Sequence, residues 1–313
     1  MKKMKKSIIR SLLLLALFSF SCSEKTLNSP TASLRSSDLV DIIDSISTLY
    51  LEGDEDVSTP IQQSRKAETE ENTSLKNQDT ESIVTADAIG FCAGALFGAE
   101  TGMVVGSVLG VPGSVAGSVL DALASGLTTA AICSIVAASD STEKVNNCYP
   151  KEEWITSQNN ILFDKKIVGG NLGWYHNALI QHLLKEPIKE IDILSLLDRS
   201  TLFLETNKIF EFKDRKLFCE CLYKKWNVLS ANDMMSFKMN HDYQLIIANY
   251  FESVAKIDSP KKLAYTQSVM REISEFGLKD EDVYLINGTI STYYYSLILW
   301  NIESLNKDLR EEK

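Results

Sequence analysis

Residues 85–139 read TADAIGFCAGALFGAETGMVVGSVLGVPGSVAGSVLDALASGLTTAAICSIVAAS, and this stretch decides the fold. Glycine recurs at every fourth position: Gly90, Gly94, Gly98, Gly102, Gly106 and Gly110. A glycine inside a helix costs about 1 kcal/mol relative to alanine. Such a ladder makes sense only if it forms a groove that a second backbone enters closely, the logic of small-residue helix pairs. Val111-Pro112-Gly113-Ser114 is turn chemistry, because proline presets φ and glycine frees it. The reading is therefore an antiparallel hairpin, with one helix over about 86–110 and a second over about 114–138. The six ladder glycines are its predicted packing positions.

In a hairpin turning near residue 112, Cys92 and Cys133 fall opposite each other. They are predicted either to form a disulfide or to be two small buried apolar residues. Each helix is long enough to cross a hydrocarbon core of about 30 Å. Glu100 and Asp121 oppose insertion, since an acid at mid-bilayer costs about 2.5–3.5 kcal/mol. The hairpin thus reads either as membrane-associated or as a buried packing element.

The amino terminus addresses the compartment. Lys2, Lys3, Lys5, Lys6 and Arg10 form a basic region, 11–20 is apolar, and Ser19-Phe20-Ser21-Cys22 follows. This resembles a bacterial lipoprotein signal of the relaxed Bacteroidota type, with Ser19 where the common motif has leucine. The resemblance implies a signal peptide over 1–21, acylation of Cys22 as lipidation site, and a lipid-anchored place in the cell envelope, at the outer membrane. The ladder itself resembles the glycine-zipper hairpin of outer-membrane lipoproteins of the rickettsial common-antigen type. More weakly, it resembles glycine-zipper bacteriocins.

Outside the cytoplasm disulfides are permitted. Beyond Cys22 five cysteines remain, Cys92, Cys133, Cys148, Cys219 and Cys221, an odd number that leaves a thiol over. Their spacing suggests no zinc site, and no metal or cofactor is predicted. The formal charge is −10, so nucleic acid is not an expected partner.

Between Cys22 and the hairpin, 22–84 reads as a tether. A short helix over 37–51 carries Leu39, Val40, Ile42, Ile43, Ile46 and Tyr50 on a helical period. The polar run that follows reads as disordered, since it cannot bury enough apolar surface to offset the entropy of ordering.

From 149 to 306 the chain reads as a multi-helix domain, so the fold class is all-α. Helices are expected over 171–184, 213–226, 241–255, 259–276 (stopped by Gly277) and from 279 or 280 to about 305. Tyr293, Tyr294, Tyr295 and Trp300 form an aromatic stripe that reads as core. Gly173-Trp174-Tyr175-His176-Asn177 and Ser291-Thr292-Tyr293-Tyr294-Tyr295-Ser296 closing on Trp300 resemble phrases of uncharacterised Bacteroidota lipoproteins. That resemblance implies a family without a known activity.

His176 and Asn177 are the candidate pocket. A single histidine at a helix start is either a structural hydrogen-bonding residue or the edge of a site that titrates near neutrality. No nucleophile elbow, zinc-protease or phosphate-loop motif occurs. The leading expectation is a non-catalytic envelope lipoprotein with a helical domain that binds a partner. The alternatives are a membrane-active, toxin-like protein and an enzyme working around His176.

Overall fold

The computed structural model describes residues 30–52, 70–101, 105–106, 117–139, 163–164, 166–185, 191–228 and 241–300. Cys22, the signal peptide, Gly102, Gly110 and Cys148 lie outside the described residues, as do all side chains of 99–118, including that of Glu100.

The fold is all-α. In chain order the helices are α1 (Pro30–Glu52), α2 (Glu70–Thr101), α3 (Gly117–Ser139), α4 (Leu172–Leu184), α5 (Ile193–Thr206), α6 (Arg215–Val228), α7 (His241–Lys256), α8 (Ser259–Glu275) and α9 (Asp280–Trp300). Two short strands, β1 (Val105–Gly106) and β2 (Glu211–Phe212), pair antiparallel.

The glycine ladder does pack α2 against α3, over half its predicted length. A methyl group on Gly94 would strike the Ser125 carbonyl and the Thr129 side chain, and one on Gly98 the backbone of Asp121 and Ala122. On Gly90 it would sit 3.0 Å from the Ala130 Cα and the Cys133 Sγ. α2 is described as far as Thr101, and Val105 and Gly106 form β1 instead of helix. The predicted helix to 110 fails because Gly102-Met103-Val104-Val105-Gly106 combines glycine with β-branched residues, both poor helix formers.

The tether is also corrected. α1 is longer than expected and docks on α7 and α8. Ser47 Oγ and Tyr265 Oη are 2.9 Å apart, and Asn249 Nδ2 donates to Asp44 Oδ1 at 2.8 Å. α2 begins at Glu70, so 70–84 is helix, not disordered chain. Composition misled here because helix propagation is cheap once nucleated. The apolar run from Ile83 fixes the helix, and its polar amino-terminal turns extend it.

Where the sequence suggested a hairpin followed by a separate multi-helix domain, the two share one hydrophobic core. α9 lies across α2 and α4, and α4 also packs on α3. Most of the 20-residue apolar segment Val119–Ala138 of α3 is buried within the protein. Gly277, with φ +84°, ends α8 as expected. The aromatic stripe of α9 is core: Tyr293, Tyr294, Tyr295 and Trp300 are all buried.

Candidate functional site

Helices α2, α3, α4 and α9 meet around one carboxyl group. Asp87 is the sole charged residue in the apolar segment Ile83–Gly98 of α2, and it is completely buried. The Ser296 hydroxyl and the Trp300 indole (3.2 Å) of α9 both donate to its Oδ2. His176 of α4, also fully buried, places Nε2 3.8 Å from the same oxygen. Ser134 of α3 completes the ring of polar neighbours. Among the described residues Asp87 Oδ1, His176 Nε2 and Thr292 Oγ1 make no well-formed hydrogen bond.

The helices cross closely enough for this because small residues line the crossing. A methyl group on Gly173 would strike the Ser291 carbonyl, and one on Gly288 would lie 2.5 Å from the Phe91 ring. The Gly173 amide donates to Ser291 Oγ at 2.9 Å, and that hydroxyl donates to the Gly170 carbonyl at 2.7 Å. The phrases that stood out in the sequence are therefore the two sides of one helix crossing.

Asn177 does not cap a helix. It sits one turn inside α4, where its Nδ2 donates to the Tyr295 carbonyl at 2.7 Å. That bond orients the amide, so Asn177 Oδ1 is the acceptor facing His176 Nδ1 at 3.2 Å. Nδ1 therefore carries the proton, and Nε2 is left as the bare nitrogen beside Asp87.

Burial governs the titration of both groups. It pushes Asp87 from its ordinary 3.8 up to about 7, against the pull of Ser296, Ser134 and Trp300. It pushes His176 from 6.5 down to about 4, with Asn177 and the Ala130 backbone offsetting part of that. An acid and a base thus lie 3.8 Å apart, beyond the reach of a direct hydrogen bond. With both side chains fully buried, no substrate atom can reach either.

No disulfide joins Cys92 and Cys133, which corrects the disulfide alternative. The face of α2 turned to α3 is the one carrying Gly90, Gly94 and Gly98. Cys92 stands two residues from Gly90, on the other side, where it meets Thr289 of α9. Burial pushes its thiol up to about 12.

A second recess lies between the hairpin and α6, lined by Phe97, Asp121, Ser125, Phe218, Cys221, Leu222 and Lys225. Its volume of about 10 Å³ admits roughly one water. Among the described residues no cluster of three or more His, Cys, Asp or Glu side chains could hold a metal ion.

Sequence reasoning chose His176 and Asn177 but missed Asp87. The available signal was an acid alone in the glycine- and alanine-rich segment 83–98, a residue that must be exposed or matched. Compared with protein-family models, curated proteins and solved structures, the chain matches none of them.

Proposed function

We propose that this chain is a non-catalytic lipoprotein of the cell envelope. Lipid on Cys22 would hold it to the outer membrane, and its helical body would present a surface to a protein partner. In this reading the glycine hairpin is the packing centre of the body, not a membrane span. The observation that carries it is the burial of the hairpin: the ladder face of α2 is filled by α3, and α3 is covered by α4 and α9. The sealed surroundings of His176 support a structural role over a catalytic one.

The test is alkaline carbonate extraction of membranes from cells making Cys22→Ala, beside lipid labelling of the wild type. The expected outcome is a labelled wild type and a fully released variant. A variant that resists extraction would overturn the packing role of the hairpin, and an unlabelled wild type would overturn the anchor.

One observation favours a second reading. Val119–Ala138 is long and apolar enough to cross a bilayer. A membrane-active protein would release dye from liposomes as the purified Cys22→Ala chain. The packing role predicts none.

A further inference from the structure

The polar centre of the bundle has an asymmetry that speaks to where its proton lies. The Ser296 hydroxyl and the Trp300 indole both aim at Oδ2, Ser134 stands beside the carboxyl, and Oδ1 makes no well-formed hydrogen bond. A carboxylate would distribute donors over both oxygens. A neutral carboxylic acid accepts on its carbonyl oxygen and keeps its hydroxyl for one acceptor. His176 Nε2, the bare nitrogen of a ring whose Nδ1 proton is committed to Asn177, stands 3.8 Å from that same Oδ2 and offers it no proton. Two opposite charges at this depth would both have to be desolvated, and 3.8 Å is too long for the direct hydrogen bond that could compensate.

We propose that Asp87 and His176 form a one-proton pair, with the proton on Asp87 and the imidazole neutral. The pair locks the glycine hairpin to α4 and α9 with a strength that does not vary across mildly acidic pH. When the hairpin leaves the core, the proton passes from the Asp87 carboxyl to His176 Nε2. One carboxylate and one imidazolium result, and no proton is taken from or lost to solvent.

The other groups around the pair do not disturb this count. α2 adds the Cys92 thiol and α3 the Cys133 thiol, both driven further towards the neutral form by burial. α3 also offers Ser134, and α9 offers Ser296 and Trp300, none of which ionises in this range.

The signs can be worked through. Asp87 is raised in the fold, so its contribution is complete below about 3.8 and is lost as pH climbs to about 7. His176 is lowered, so its contribution is complete above about 6.5 and is lost as pH falls to about 4. Between pH 4 and 6.5 the two slopes oppose, and the pair as a unit is flat.

The experiment is urea unfolding of full-length Cys22→Ala, with Asp87→Asn, His176→Gln and both added, from pH 4 to 6.5. Each variant is read as its difference from the parent, so that surface carboxylates cancel. Relative to the parent, Asp87→Asn should gain folding equilibrium constant as pH rises, by roughly a hundredfold over the window. His176→Gln should lose about as much. The double variant should track the parent within a few-fold. Slopes of equal sign, or none in either single variant, would overturn the proposal. Nitrogen NMR of the His176 ring in the parent at pH 6 is the second readout, and it stands if a variant fails to fold. A neutral ring protonated on Nδ1 is expected, and an imidazolium would overturn the pair.

Discussion

The protein is packed in two contrasting ways. Around α2 and α3 the contacts are made by what is missing: glycines let backbones touch, and an added methyl group has nowhere to go. Around α1, α7, α8 and α9 the contacts are made by large rings with polar tips. Tyr250 stacks on Tyr265 at 5.8 Å, and Phe251 stacks on Tyr293 at 4.2 Å. The Tyr250 hydroxyl lies 2.9 Å from Thr266 Oγ1, and Tyr265 reaches Ser47. The lesson is that one core can have opposite sensitivities. Its centre should tolerate no addition, and its aromatic side no removal.

That contrast can be broken from either side. The largest effect is expected from Tyr250→Ala, which empties a fully buried ring site and should cost about 3–5 kcal/mol in urea unfolding. A cost below about 1 kcal/mol would mean the aromatic side repacks freely. Gly98→Ala comes next. The new methyl meets the α3 backbone, and overpacking of that kind costs about 1–3 kcal/mol even after the helix-propensity gain of about 1 kcal/mol. Gly90→Ala sharpens the point: its neighbours stand off at 3.0 Å, so propensity should bring its net effect close to zero. Equal penalties at Gly90 and Gly98 would show that the groove is not graded along its length.

Tyr265→Phe should cost about 1 kcal/mol, because it removes one hydroxyl partner while Ser47 keeps its bond to the Ile43 carbonyl. The last change lies outside both regions. Lys208 is exposed with φ +55°, a left-handed conformation costly for a side-chain-bearing residue. Lys208→Gly should raise stability by about 0.5–1 kcal/mol and leave the two packing modes untouched.

The hairpin was legible in the sequence because glycine every fourth residue has few other uses in a helix. Its end was not, because Gly102 and Gly106 keep the spacing while Val104 and Val105 change the propensity, and Val105 pairs with Phe212 over a hundred residues later. The carboxy-terminal helices could be read from their apolar periods, apart from α5. That helix had its own signal in Asp192, whose side chain accepts from the Leu194 amide at 3.1 Å. The polar centre was half legible. His176, Asn177, Ser296 and Trp300 lay in phrases that stood out, but Asp87, the common neighbour of His176, Ser296 and Trp300, is on another helix 89 residues before His176. Only the three-dimensional crossing reveals that relation.

The docking of α1 changes what an anchor would mean here. α1 is joined to the rest of the body by contacts with α7 and α8 as well as by the chain through 53–69. If lipid is carried on Cys22, cutting that connecting segment would not free the body at once. It would turn a covalent leash into a complex between an acylated peptide and the body. How long the body then stayed on the membrane would be set by the rate at which one helix leaves its groove.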